Sequence, residues 1–193
     1  MINALLRLRL NPRYALSATL LFTCLLSPDL TAAPSDPRLQ QVKAAILFNI
    51  ARFVRWPEPT LGDPNSTALT LCHYHENTLA SASSALIGKP VQHRHFAERH
   101  IESLDQVQGC AILFIPWHQL SSFSVDQAHH SALPVLTVAD LTEVSASQVV
   151  TSTAAVNLIR QDARISLDIF LPELQRSGLT ISSEVLKLAK VRR

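Results

Sequence analysis

Glycine is scarce in this chain. Only four occur in 193 residues, Gly62, Gly88, Gly109 and Gly178, and no two are close. A phosphate cradle of the dinucleotide or nucleoside-triphosphate type gathers several glycines in one loop, so the sequence argues against both. The G-x-S-x-G, H-E-x-x-H and C-x-x-C patterns are missing too, which removes the familiar hydrolase, zinc-protease and thiol-oxidoreductase readings. Beyond the terminal Arg192-Arg193 there is no run of Lys or Arg, hence no electrostatic footprint for nucleic acid or an anionic membrane. No apolar run reaches the roughly 20 residues of a transmembrane helix. The expectation is a protein that is not an enzyme and carries no cofactor.

What is present begins with an export pattern. Arg7, Arg9 and Arg13 precede the apolar stretch ALSATLLFTCLL, a polar break SPDL follows, and Thr31-Ala32-Ala33 supplies small residues for cleavage. Residues 1–33 are therefore expected to be a cleaved signal peptide and 34–193 one domain, which after cleavage does not span the membrane. An uncleaved anchor, or a lipid on Cys24, is the competing reading; the residue before Cys24 is Thr23, where Gly, Ala or Ser would suit lipidation. Three of the 17 basic and one of the 15 acidic residues leave with the leader, so the mature chain has 14 of each and a net charge near zero.

The mature chain alternates. Asp36 as cap and Pro37 at the first position predict a helix through about residue 55, with Leu39, Val42, Ile46, Ile50 and Phe53 as its apolar stripe. Strands are expected at ALTLCHY (68–74), PVQHRHF (90–96), CAILFI (110–115) and PVLTVAD (134–140). Helical stretches separate them around ENTLASASSALIG, ERHIESLDQ and QLSSFSVDQAHH. This order predicts an α/β fold: a mostly parallel sheet with helices on both faces and a long N-terminal helix. AVNLIRQDARISLDIF reads as an antiparallel hairpin at one edge, turning at Gln161-Asp162, and PELQRS and SSEVLKLAKV read as two short closing helices, the first capped by Gly178.

All eight histidines lie between His73 and His130. His73 and His75 share one face of the first strand, and His93 and His95 one face of the second. If those strands are neighbours, the four imidazoles converge as an alternative metal site; a solvated His-rich edge is the plainer reading, since neither pair has an obvious carboxylate second shell. The mature chain keeps two cysteines, Cys72 and Cys110, in a compartment where an even count suggests pairing. In a βαβαβ order the first and third strands commonly lie side by side, which brings the two within reach of a disulfide, although Cys110 opens its strand and Cys72 sits late in its own. Two buried free thiols are the alternative.

The opening helix KAAILFNIARFVRWP, the strand LTLC, GKPVQHRHF, QGCAILFI, PVLTVAD and, above all, VNLIRQDARISLDIF followed by SGLTISSEVLKLAKV resemble the YfiR-like periplasmic proteins over about residues 40–191. The family's structural disulfide coincides with Cys72 and Cys110. The resemblance implies a periplasmic repressor that binds the periplasmic domain of an inner-membrane diguanylate cyclase of the YfiN type, with effects on cyclic-di-GMP signalling and biofilm regulation. Departures are Thr151-Ser152-Thr153 where glycines are frequent, Phe170 where asparagine is usual, and the lack of a second cysteine pair. Its partner surface is expected on the C-terminal stripe Leu179, Ile181, Val185, Leu186 and Leu188; core packing is the competing role of such a stripe. A homodimer and a small-ligand or metal-binding sensor remain open alternatives.

Overall fold

The computed structural model describes residues 36–57, 67–130, 132–145 and 152–193. The expected leader, most of the loop 58–67 and Thr151 lie outside the described residues. Helix α1 (Pro37–Ala51) starts as its sequence predicts, with Asp36 accepting a hydrogen bond from the Arg38 N–H at 2.9 Å. It stops four residues short of the expected end. The next residues form β1 (Val54–Arg55), and the Gln92 side-chain amide donates to the Ala51 and Val54 carbonyls at 2.8 Å each, satisfying acceptors the helix end leaves orphaned.

The face of α1 that enters the core is also different from the expected stripe. Lys43, Ala44, Leu47, Ile50 and Ala51 are buried, whereas Val42 and Phe53 are exposed and Leu39 and Ile46 half-buried. Only Ile50 is common to both sets. The helix has two adjacent apolar strips, and the small residues Ala44 and Ala51 let the second approach the sheet closely.

The remaining elements are β2 (Ala68–Tyr74), α2 (Ser81–Ser84), β3 (Pro90–Val91), β4 (Arg94–Ile101), β5 (Cys110–Pro116), α3 (Leu120–Gln127), β6 (Leu136–Leu141), β7 (Val156–Gln161), β8 (Arg164–Phe170), α4 (Leu171–Arg176), β9 (Thr180–Ile181), α5 (Ser183–Leu186) and β10 (Ala189–Arg192). Eight strands form one sheet in the order β10-β8-β7-β6-β5-β2-β4-β3, parallel except at β7/β8 and β3/β4, and β1 pairs with β9 in a separate antiparallel ribbon. A mostly parallel sheet is thus present, and β5 is buried along its whole length, as an all-apolar central strand should be.

Three expectations need correction. PVQHRHF is not one strand but the β3/β4 hairpin, turning at Gln92, which adopts a left-handed φ of 54°. β4 then runs on through Glu98-Arg99-His100-Ile101, which had read as helix. Its charges are tolerable because β3 pairs only with Arg94 and His95, leaving the rest of that side as an open edge. The β7/β8 hairpin exists but is not at the edge: Ala189–Arg192, expected to be helical, adds to β8 in parallel as β10.

Both faces of the sheet are covered. On one, Leu47 and Ile50 of α1 meet Leu69, Leu71, Phe96, Ile112, Phe114 and Val138; on the other, Leu120 and Phe123 of α3 meet Cys72, Tyr74, Leu113, Ile115 and Ala139. The alternation Leu71/Cys72 and Leu113/Phe114 is the period of two that a strand imposes on neighbouring side chains.

Candidate functional site: a clamped disulfide, dispersed imidazoles and an arginine-lined cavity

The disulfide is built by a sheet irregularity. Thr70 pairs with Cys110, but the next partners are Leu71 with Ile112 and Cys72 with Leu113, so Ala111 is an extra residue in β5. That bulge supplies the stagger between an early and a late cysteine. The two are bonded with their Cα atoms 5.8 Å apart, within the usual range for a bridge. Both are buried. Arg99 of β4, opposite Cys72, lies over the bond: its Nη2 donates to the Gln106 and Gln108 carbonyls at 2.8 and 2.7 Å and stands 3.3 Å from Cys110 Sγ. One guanidinium therefore ties β4 to the turn that precedes β5 and roofs the bridge.

The four histidines of the first two strands are not brought together. In the β2/β4 register His73 faces His100, whereas His95 faces Ala68 at the opposite end of β2. Five residues separate the two positions, about 17 Å at ~3.3 Å per residue. His93 lies in the β3/β4 turn and is exposed. Among the described residues no group of three or more His, Cys, Asp or Glu could hold a metal ion.

Each histidine of the far end has instead a carboxylate that the sequence reading missed. His73 is 2% exposed, with Nε2 3.3 Å from Glu98 Oε2, and Glu98 Oε1 accepts from Ser84 Oγ at 2.5 Å. Burial holds the His73 pKa below its ordinary value, with Glu98 pulling the other way. Burial also pushes Glu98 up, but hydrogen bonds from Ser84, Ser83 and His73 outweigh it and keep the carboxyl below its usual range. His75 turns out of the strand at φ 62° and meets Glu102 at 3.0 Å, whose other oxygen is 2.6 Å from His100. The His100 and His75 contacts hold the Glu102 carboxyl low. These acids escaped notice because ERHIE read as helix; read as a strand, the same letters place Glu98 diagonally beside His73.

The C-terminal stripe divides. Leu179 and Val185 are 3% and 7% exposed and belong to the core under α1; Ile181 and Leu186 are half-buried against it. Leu188, at 82%, is the one of the five that stands in solvent. Burial overturns a surface role for Leu179 and Val185: they anchor the last segment to the fold.

A cavity of about 590 Å³ opens where the end of α1 meets the β3/β4 turn, lined by Arg52, Arg55, Trp56, His93 and Arg94 among others. Its walls are fixed. Trp56 Nε1 donates to the Ala111 carbonyl at 2.8 Å, Arg94 Nη1 to the Ala68 carbonyl at 3.2 Å, and Gln92 grips the helix end. Among the described residues that line it there is no carboxylate, and the exposed Arg52 and Arg55 guanidinium groups suit an anion. The sequence did not disclose it because FVRW, QHR and Ser182 come from three separate segments. Among the described residues, no helix is long and apolar enough to cross a membrane.

Among curated proteins, none matches the chain. A family model described as YfiR/HmsC-like matches residues 40–190, which spans every strand from β1 to β9 and both cysteines of the bridge. The chain belongs to the YfiR/HmsC-like family.

Proposed function

We propose that the protein is a periplasmic regulator that binds the periplasmic domain of an inner-membrane diguanylate cyclase and represses it, so that its release raises cyclic-di-GMP. The observation that carries this reading is the family match over residues 40–190, nearly all of the expected mature chain. A regulator with no chemistry of its own acts by binding one state of its partner more tightly than another. A sheet covered on both faces and held by a buried disulfide offers a rigid surface for such discrimination.

The test is to express the full chain, with its own leader and a C-terminal tag, in the native host and to crosslink whole cells without reductant. Recovery of a membrane diguanylate cyclase, together with higher cyclic-di-GMP on deletion of the gene, is the expected result. Recovery of no such protein and an unchanged cyclic-di-GMP level would remove the reading.

A second reading, a small-ligand sensor, is favoured by the arginine-lined cavity of about 590 Å³, a volume typical of small-molecule sites. The two readings are compatible if the ligand biases partner binding. Native mass spectrometry of purified protein, before and after mild denaturation, would detect a retained anion.

A further inference from the structure

A second concave surface lies at the other end of α1. Leu39 and Val42 of the helix and Ile165 of β8 line a groove of about 450 Å³ between α1 and the tip of the β7/β8 hairpin. Arg38, Arg160 and Arg164 stand around it, all three exposed. Val42 is 48% exposed although the strip it belongs to is apolar enough to have read as a core face.

Two features make this more than an accidental gap. β6 supports β7 as far as Ile159 and β10 supports β8 from Leu167, so Arg160 and Arg164 lie just beyond both on the hairpin's own ladder, Arg160 opposite Ile165 and Arg164 opposite Gln161 around the Asp162-Ala163 turn. Arg160 Nε also donates to the Asp162 carbonyl at 3.3 Å. The charge, moreover, is one-sided. Asp36 is the carboxylate among the lining residues, and it is engaged in capping the Arg38 N–H. Among the described residues none of the three guanidinium groups is paired with a carboxylate. An apolar floor ringed by unpaired arginines is complementary to a segment with apolar side chains flanked by acids.

We propose that this groove docks an acidic, amphipathic segment of the membrane partner's periplasmic domain, its apolar side chains on Leu39, Val42 and Ile165 and its carboxylates on Arg38, Arg160 and Arg164. The proposal rests on the regulator reading above and gives that reading its surface. It shifts the contact from the C-terminal stripe, which is mostly core, to the strip of α1 that the core leaves uncovered.

The test places a photo-crosslinking p-benzoylphenylalanine at position 42 of the full chain in the native host, with position 125, exposed on the opposite helix α3, as the comparison. A membrane diguanylate cyclase crosslinked at least tenfold more from position 42 than from 125, through a peptide rich in Asp or Glu, is the expected result. Charge reversal by R160E with R164E, both at exposed positions, should lower recovery at least tenfold while circular dichroism and the urea midpoint stay put. If chemical crosslinking recovers the cyclase but position 42 captures nothing, a second copy of this chain, or a peptide without acids, the groove is not the docking site and the regulator reading survives. The same holds if the charge reversals leave recovery unchanged. Failure of the unaltered chain to capture any cyclase removes both.

Discussion

Strands β5 (CAILFIP) and β10 (AKVR) both pair in parallel with a neighbour, yet they live under different rules. Every residue of β5 is buried, and it is tied to its surroundings by a disulfide to β2 and by partners on both sides. No residue of β10 is fully buried, and it has a partner on one side, β8. At the centre of the sheet the free energy comes from area removed from water and from a covalent closure; at the margin it comes from a few partly solvated contacts. The difference teaches where a substitution unfolds the molecule and where it loosens one strand.

The centre should break first at Lys43. This lysine is 1% exposed on the core face of α1, with Nζ 2.7 Å from Asp140 Oδ2 at the end of β6 and 3.2 Å from Glu143. Asp140 Oδ1 is taken by the Thr142 N–H and hydroxyl at 3.1 and 2.6 Å. Lys43→Met strands a buried carboxylate and is expected to cost about 3–5 kcal/mol, read as a lower urea midpoint. Adding Asp140→Asn should restore part of the loss, because no buried charge is then left unpaired, the amide oxygen can still accept from Thr142, and Glu143, 45% exposed, is solvated. The disulfide comes next. Its 38-residue separation corresponds to about 4 kcal/mol in the chain-entropy account, reduced by any strain, so C72A/C110A is expected to lower the midpoint by somewhat less than that. Equal midpoints for the double variant and the oxidised parent would assign the stability to Arg99 and packing.

A smaller effect is expected from pH at the boundary between these regions. His73 sits in β2 but reaches Glu98 of the half-open strand β4, with His100 and the Phe114 ring also facing it. Burial lowers its folded-state pKa, so between that value and about 6.5, the ordinary imidazole pKa, the unfolded chain binds the extra proton. Stability is therefore complete above that ordinary value and declines as pH falls through it. Glu98, also held low, adds its own loss further down, near and below the ordinary carboxylate range. Urea midpoints at pH 7.5 and 5.5 should differ for the parent and converge for His73→Gln; an equal drop in both would place the sensitive proton elsewhere.

The same division explains what could be read in the amino acids. CAILFI and ALTLCHY read as strands on composition, and the structure buries the first throughout and most of the second. ERHI and AKVR could not be read that way. Their strand character is imposed by neighbours, Leu71–Tyr74 for the first and Leu167–Phe170 for the second, and not by local pattern. The partner carboxylates of the histidines were lost with ERHI. Lys43 shows a subtler limit: at spacings of four and seven from Leu47 and Ile50 it lies on the core stripe, but a lysine scores as surface until Asp140 is known to be opposite. The cavity and the groove lie between segments distant in sequence, which pattern within one element cannot reveal.

At the margin the expected change is small and local. Arg192 Nε donates to Asp168 Oδ1 at 2.8 Å, and its guanidinium sits 5.1 Å from the centre of the Phe170 ring. The arginine side chain is 40% exposed, so solvent screens the pair and its worth is roughly 0.5–1 kcal/mol. Arg192→Ala should leave the global urea midpoint within that amount of the parent. Hydrogen exchange should report it clearly, because β10 has no second neighbour to hold it once the tie to β8 is cut: the amides of Ala189–Arg192 gain exchange while those of β5 do not. A uniform rise in both strands would mean that β10 opens only with the whole molecule, and the distinction between centre and margin would then be one of burial without independent stability.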